Sequence, residues 1–345
     1  EFSANIGLLG LSGVVYEDVN YGGGAGRDLA TSSGVGRDSV RVELYKETSA
    51  GSGVYTYLSS TTTSTLTGQA GSYQFGGLMA ANYRVRVVNN TTDRVSSSRA
   101  GDDSSVYGVQ TYRTDASTGS AVAVSNEIGG RTPAFTADAA NVTTVGGAFP
   151  DGGSSGTQTL YWAPVALSSA AVTGVDFGFN FDTIVNVADC ANPSATVQCL
   201  GSLRQFVNNA NLLSNTGLAQ ALPGAIASDY TTGDEVSIFM VPTAALSSGV
   251  AKVQLTSILP QVTGANAAST KLDGRTQTYN TTTSTGDTNS GMLGAGGVVG
   301  VDGLTLSQVN RPEVEITAQT PNLAIGLNTN AANVAVRGLS IWGFD

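Results

Sequence analysis

Glycine recurs so often in this chain that few stretches are long enough to form a helix. The 345 residues include 44 glycines, and the segments between them are rich in Val, Thr, Ser and Asn. Because β-branched residues favour strands while Gly and Asn supply tight turns, the pattern predicts an almost entirely β protein. A chain of this length has room for two domains and a sizeable core.

One stretch breaks this pattern and divides the chain into two parts. Ser202 is a candidate N-cap, and Gln205 follows it at the spacing of a capping box. The apolar residues that recur at helical spacing are Leu203, Phe206, Val207, Ala210 and Leu213. We expect this amphipathic helix to cover the first open rung of a β-solenoid, where unpaired strand edges would otherwise meet water. A surface helix in a linker is the alternative.

Both cysteines precede this helix. Cys190 and Cys199 lie close in sequence, with Pro193 between them. The spacing predicts a small disulfide loop that stabilises the fold by about 2–3 kcal/mol and indicates an oxidising compartment. A pair of free thiols is the alternative. A structural zinc site is not, because two cysteines are too few to hold the ion by themselves. Histidine, the commonest zinc ligand and general base, is absent from the sequence.

The part before the helix has the alternation of half-buried strands. Val40, Val42 and Leu44 alternate with more polar residues, which is typical of strands with one face in a core and the other in solvent. We predict a β-sandwich of sequential hairpins over residues 13–181. A long insertion at 89–171 would decorate it, and long loops on rigid scaffolds often carry binding surfaces.

Several motifs occur in the order found in a known module. They read GVVYEDVNYGGG at 13–24, VRVELY at 40–45, GSYQFGGLMAANYRVRVV at 71–88 and VTGVDFGFNF at 172–181. The sequence resembles the serine-aspartate repeat (SdrD) B-like domains, relatives of the collagen-adhesin B-type modules of bacterial surface proteins. The resemblance implies an immunoglobulin-like, B-type β-sandwich and an extracellular location at the bacterial cell surface.

The loop after the first strand is the candidate metal site. In the family that the chain resembles, this loop commonly reads D-x-N-x-D-G and is associated with calcium, whereas here Gly22 stands where the next carboxylate would fall. Calcium takes about 6 to 8 oxygens, so backbone carbonyls and water would have to complete the shell. We predict calcium as a candidate cofactor, with side-chain oxygens from Glu17, Asp18, Asn20 and Asp28.

Residues 1–12 form an apolar N-terminal segment with two interpretations. They are the first strand of the following domain, or they are a free strand that adds to the sheet edge of another copy. In the second interpretation the self-association residues are Phe2, Ile6, Leu8, Leu9 and Leu11.

Short strands recur after the helix, with Asn, Gly and Asp at their corners. Residues 182–214 form a linker with the disulfide loop and the capping helix, and residues 215–345 resemble the first coils of a right-handed parallel β-helix. The 23-residue step from Ile316 to Leu339 is about one turn of such a coil. A second sandwich is the competing fold for this part.

An enzyme built on such a coil would need paired carboxylates, or an arginine base beside calcium-binding carboxylates, on one strand face. The available groups are Asp273, Asp302, Glu313, Glu315 and Arg337. Because solvated strand residues explain them more simply, we predict no catalytic residues and a protein that is not an enzyme.

The charge and the motifs together favour a structural protein. A formal net charge of -10 leaves no basic patch for nucleic acid, and no apolar run reaches the roughly 20 residues of a membrane span. We predict a non-catalytic, adhesin-like extracellular surface protein whose partners are copies of itself, or glycans and proteins of the cell surface or matrix. The alternatives are a self-assembling extracellular filament subunit and a carbohydrate-active enzyme.

Overall fold

The computed structural model describes residues 8–88, 99, 106–115, 120–121, 144–149, 161–189, 200–279, 288–319 and 323–345. Strands dominate these residues, and their helices are few and short. The prediction of an all-β protein is confirmed. Cys190 and Cys199, predicted to form a disulfide, lie outside the described residues, as do Phe2 and Ile6 of the N-terminal segment.

The strands described before residue 182 form two sheets. In chain order they are β1 (Leu9–Glu17), β2 (Val35–Gly36), β3 (Arg41–Glu47), β4 (Tyr55–Thr62), β5 (Ser72–Leu78), β6 (Ala81–Val88), β7 (Val109–Asp115), β8 (Ser120–Ala121), β9 (Trp162–Leu167) and β10 (Phe177–Asn180). The first sheet has the order β2-β1-β10-β7-β8, with β5 also paired to β1, and the second has the order β4-β3-β6-β9. Strand β1 runs parallel to β10 and antiparallel to β5.

The two sheets share one buried core. Val15 and Phe177 come from the first sheet and Leu44 and Val85 from the second, and all four belong to the same buried cluster. Side chains alternate between the faces of a strand, so the period-two pattern of β3 and β6 directs one set of residues into this core. The predicted alternation is confirmed on this face.

The opposite face of the second sheet differs from the expectation of a polar, solvated surface. Glu43 and Tyr45 of β3 are both fully buried. Tyr45 packs against Phe149, which lies in the segment 144–149, and against Tyr57. Part of the predicted insertion therefore covers this face. The alternation along β3 did not predict this cover, because the polar residue Glu43 is itself buried under it.

The strands that follow pair in parallel between successive passes of the chain, except those within residues 292–310, which pair antiparallel. They are β11 (Thr183–Ile184), β12 (Glu235–Val236), β13 (Ile238–Phe239), β14 (Ala251–Leu255), β15 (Thr270–Asp273), β16 (Met292–Leu293), β17 (Val298–Val299), β18 (Leu304–Thr305), β19 (Val309–Asn310), β20 (Val314–Ala318), β21 (Ala335–Arg337) and β22 (Leu339–Trp342). One sheet has the order β12-β15-β21 and another β14-β20-β22, with every pair parallel. Strand β11 pairs in parallel with β13.

The strand pairing of the last passes gives a longer step per coil than the predicted 23 residues from Ile316 to Leu339. Ile316 pairs with Ile341, two residues beyond Leu339, while Leu339 pairs with Val314. Val314 and Ile316 are fully buried, whereas Ile341 is 40% exposed. Among the described strands β22 has a neighbour on one side only, which explains the exposure of Ile341.

Helix α1 (Leu203–Leu212) forms where it was predicted, and α2 (Gly224–Ala227) and α3 (Arg275–Thr278) are single turns. All five residues of the apolar face predicted for α1 are buried. The backbone N–H of Gln205 donates to the Ser202 hydroxyl over 3.2 Å, but the Gln205 side chain donates to Asn209 instead of reaching back. Only half of the predicted capping box is therefore made.

Candidate functional site

The two groups of sheets meet at an apolar contact. Tyr21 and Val109 from the first part lie in one buried cluster with Val236, Ile238 and Met240 from the second. We call this contact between the two parts the junction.

Gly22 explains how the backbones come so near at the junction. A Cβ on Gly22 would lie 2.2 Å from the carbonyl carbon of Ala221, closer than real Cβ atoms approach backbone. The Ala221 N–H donates to the carbonyl of Asn20 over 2.9 Å. Gly22 thus serves a close backbone approach, which only a residue without a side chain permits.

Arg99 lies at the centre of a buried ionic cluster at the junction. Its guanidinium contacts Glu17 of β1 at 3.1 Å, Asp182 at 2.8 Å and Glu235 of β12 at 2.8 Å. The three carboxylates come from distant points of the sequence, and all three are fully buried. Each guanidinium nitrogen serves a different carboxylate, which uses the planar fork of arginine completely. We call these four residues the Arg99 cluster.

The Arg99 cluster has three carboxylates and one cation, so its net charge depends on whether a carboxylate is protonated. Burial, followed by repulsion from Asp182, raises the pKa of Glu235 to about 8. Burial also raises the pKa of Asp182, although Arg99 opposes that rise. A second carboxylate confined beside the first is more stable as the neutral acid. The cluster therefore holds a proton at mildly acidic pH.

The predicted calcium ligands are engaged elsewhere in the structure. Asp18 accepts from the Arg27 backbone N–H at 3.2 Å and lies 3.3 Å from its guanidinium, and it accepts from the Thr111 hydroxyl at 3.2 Å. Burial raises the pKa of Asp18 to about 6, which weakens it as an ion ligand at that pH. Glu17 belongs to the Arg99 cluster.

The remaining two predicted ligands do not join Asp18. Asp28 is exposed and accepts from the Thr31 backbone N–H at 2.9 Å, and this hydrogen bond lowers its pKa. Asn20 is half-buried. Within the described residues no group of three or more acidic, cysteine or histidine side chains is arranged to hold a metal. The donors as placed do not fit calcium, and the calcium site predicted from the sequence would require Arg27 to leave Asp18.

Two of the groups considered for catalysis lie side by side on the second part. Asp273 and Arg337 occupy paired positions of β15 and β21. Arg275 contacts Asp273 at 2.7 Å, and Arg337 contacts Asp229 at 3.3 Å. Tyr230 donates to Asp273, and burial, followed by that hydrogen bond, raises the pKa of Tyr230 to about 12. Arg275 closely follows β15 but was not among the predicted residues, whereas Asp229 and Tyr230 are far from β15 in sequence and only the folded chain brings them beside it.

The other three groups are separate from this pair. Asp302 lies in the exposed turn between β17 and β18, and Glu315 lies on β20. Glu313 is buried and accepts from the Thr288 and Asn289 backbone N–H groups at 3.1 and 2.8 Å. The five residues do not form one site, and the prediction that the protein is not an enzyme stays a prediction.

The described self-association residues belong mostly to the chain's own sheet. Leu9 and Leu11 lie in β1 and pair with β5, and Leu11 is fully buried. Leu8 precedes the strand and is 66% exposed. Donation of this segment to another copy stays a prediction, and it would require β1 to leave its own core.

Arg99 is the residue of the junction that no sequence pattern predicted. It follows the run Ser96-Ser-Ser98 in a segment without strand periodicity. Its partners lie in β1, after β10 and in β12, so only the folded chain brings them together.

No described helix is both long and apolar enough to cross a lipid bilayer. No known protein-family model matches the chain, and no curated protein matches it.

Proposed function

We propose that this chain is a non-catalytic structural protein of the bacterial cell surface, with an adhesin-like role. The observation that carries the proposal is the Arg99 cluster, which ties two all-β parts together through buried charges. A joint of this kind resists bending, because relative motion of the two parts would separate buried ions from their partners. Rigid extension is what a surface stalk requires.

The proposal assigns a known architecture to each part. The first part is a B-type, immunoglobulin-like β-sandwich, supported by two sheets around one core. The second is a right-handed parallel β-helix, supported by two parallel three-stranded sheets built from successive passes. Helix α1 caps it, since Leu203, Phe206 and Val207 share a buried cluster with strands of the first pass.

Arg204 fixes this cap to the first pass. Its guanidinium contacts Asp189 at 2.6 Å and donates to the carbonyls of Ser257 and Ile258 at 2.7 and 2.8 Å. The pKa of Asp189 lies below its ordinary value because hydrogen bonds from Arg204 and Thr256 outweigh its burial. These contacts hold the segment that precedes α1, the helix itself and the loop after β14 together.

Surface exposure on intact cells tests the location. Cells that make the protein are treated with an impermeant amine-reactive biotin, and the labelled fraction is captured and probed with an antibody to this chain. We expect labelling of the chain on intact cells and none of a cytoplasmic control protein. Labelling of the chain only after lysis would overturn the proposal.

Ligand binding tests the adhesin-like role in the same preparation. Purified protein is applied to arrays of cell-surface glycans and matrix proteins, and we expect saturable binding to at least one without turnover of it. Release of shortened glycan products, lost in Arg337→Ala, would instead favour the carbohydrate-active enzyme.

A self-assembling filament subunit is the second candidate. Exposed apolar groups such as Leu8 favour it. Electron microscopy of concentrated protein separates the two functions, because a filament subunit gives polymers that shorten or vanish when residues 1–8 are removed, whereas the proposed stalk gives discrete particles.

A further inference from the structure

One interrupted two-stranded hairpin lies between β15 and β20 of the second part. We call residues 288–311 the arm. Strands β16 and β19 pair near its base, and β17 and β18 pair further along it. None of the buried clusters of the described residues includes a residue of 290–310. The arm therefore stands outside the packed body of the protein.

The arm presents an unusual amount of apolar side chain to solvent. Val301 is fully exposed, and Val298 and Leu304 are each 68% exposed. The other large apolar residues that are exposed on the arm are Met292, Leu293, Val299, Leu306 and Val309. Scattered exposed aliphatic residues are ordinary, but a contiguous set marks a surface that binds another molecule. A two-stranded hairpin alone is also only marginally stable in water.

The base of the arm is anchored firmly. The buried carboxylate of Glu313 accepts from the N–H groups of Thr288 and Asn289, and the Asn289 amide donates to the carbonyl of Pro312 at 2.9 Å. The Arg311 N–H donates to the carbonyl of Gly291 at 2.9 Å and closes the base. A buried carboxylate that fixes both strands of the base gives the arm a defined direction, which suits a docking element.

The backbone of the arm determines what kind of partner it accepts. Each of its two-stranded sheets has no further strand on either side among the described residues. Such edges pair with another strand through main-chain hydrogen bonds. The partner must therefore offer a strand edge and apolar side chains together, and the arm of a second copy offers both.

The distribution of charge also favours a second copy of this chain as the partner of the arm. Asp302 is the only charged residue in 288–310, whereas the whole chain has a formal net charge of -10. Two copies repel each other over most of their surfaces, and the nearly neutral arm is where they can approach. A basic partner would be attracted to the acidic body instead.

We propose that the arms of two copies pair edge to edge about a twofold axis and form a dimer. Burial of the exposed side chains would remove on the order of several hundred Å² of apolar surface from each copy, a large part of the roughly 800 Å² per partner of a standard interface. A twofold contact uses the same surface on both copies and closes on itself. The proposed surface function does not need this contact, so a monomer would refute the dimer alone.

Sedimentation velocity of the full chain tests the pairing. We expect the wild type to form a dimer as its concentration rises, and the double variant Val301→Lys with Leu304→Lys to weaken dimerisation by at least about tenfold. The matched control is Val54→Lys with Leu66→Lys, at exposed positions outside the arm. Both variants lower the net negative charge equally, which by itself favours association, so loss of the dimer only in the arm variant identifies the contact.

Other outcomes overturn the proposal. A wild type that stays monomeric at every concentration, or an arm variant that dimerises as well as the control, would contradict it. Assemblies larger than a dimer that disappear in the arm variant would exclude twofold closure. Co-sedimentation of a monomeric wild type with neutral phosphatidylcholine vesicles, lost in the arm variant, would assign the arm to a lipid surface.

Discussion

Arg99 is the residue on which the junction depends most directly. A buried ion pair contributes little net stability compared with well-packed apolar residues, but removal of one partner leaves charges without compensation. Here a single guanidinium faces three carboxylates. Burial first, and then repulsion from Asp182, outweigh the attraction of Arg99, so the Glu235 pKa is raised beside a cation.

The protonation of Glu235 predicts how stability depends on pH. Its pKa rises from an ordinary 4.5 to about 8 on folding, so the folded protein binds the proton more tightly than the unfolded chain. This contribution to the free energy of unfolding is complete below about pH 4.5 and is lost as the pH rises to about 8. Asp18, with its pKa raised to about 6, acts in the same direction.

Denaturant unfolding of the wild type and of Glu235→Gln at pH 5 and pH 8.5 measures this effect. We expect the wild type to lose more stability than the variant between these two values, because the amide carries no proton to release. Equal losses in the two proteins would show that Glu235 does not titrate in the folded state.

Asp18 predicts the response to calcium. Since the Arg27 side chain and backbone and the Thr111 hydroxyl already occupy its oxygens, we expect the same melting temperature in calcium and in chelator. Differential scanning calorimetry at pH 7.5 provides the measurement, with Asp18→Ala as the second protein. A higher wild-type melting temperature in calcium that Asp18→Ala abolishes would mean that the loop rearranges around the ion.

At the scale of elements, helix α1 connects both parts of the chain. Its apolar face packs with the first pass of the second part, while Asn209 donates to the carbonyls of Tyr107 and Phe181 at 3.0 and 2.8 Å. One short helix thus satisfies buried carbonyls on one side and buries apolar surface on the other. Its stability comes from this packing, because a ten-residue helix is marginal by itself.

Truncation of the Phe206 side chain of α1 should lower the free energy of unfolding strongly. We expect Phe206→Ala to lower the free energy of unfolding by about 3–5 kcal/mol, since it removes a fully enclosed ring and leaves a cavity. Asn208→Ala, at a half-buried position on the same helix, is the control and should change stability by no more than about 0.5 kcal/mol. Similar small effects of both substitutions in urea unfolding would place α1 outside the core.

At the scale of the whole molecule, three kinds of contact at the junction hold the two parts together. Apolar packing around Tyr21, the close approach at Gly22 and the Arg99 cluster all cross between them. Interfaces between domains of one chain are often polar and mobile, whereas this one buries ions and aromatic rings together. We expect the intact protein to unfold in a single cooperative transition.

Loss of the Arg99 guanidinium should separate the two parts. We expect Arg99→Met to destabilise the protein by about 3–5 kcal/mol, because three buried carboxylates lose their cation, and to split the calorimetric transition into two. Arg311→Met, which changes an exposed arginine on the second part, is the matched control and should keep one transition. A single unshifted transition in Arg99→Met would show that the cluster does not couple the parts.

The sequence by itself determined the local structure of this protein. Gly-punctuated β-branched runs gave strands, and the spacing of Leu203, Phe206 and Val207 gave the helix and its buried face, because periodicity depends only on neighbouring residues. The tertiary structure alone decided which charges meet. Glu43 lies on the face of β3 for which the alternation predicts contact with solvent, yet it is buried beside Arg86. Glu17 and Asp18 form ion pairs with Arg99 and Arg27. Long-range pairing brings such groups together, and no local pattern in a sequence records the partner that a charge will find.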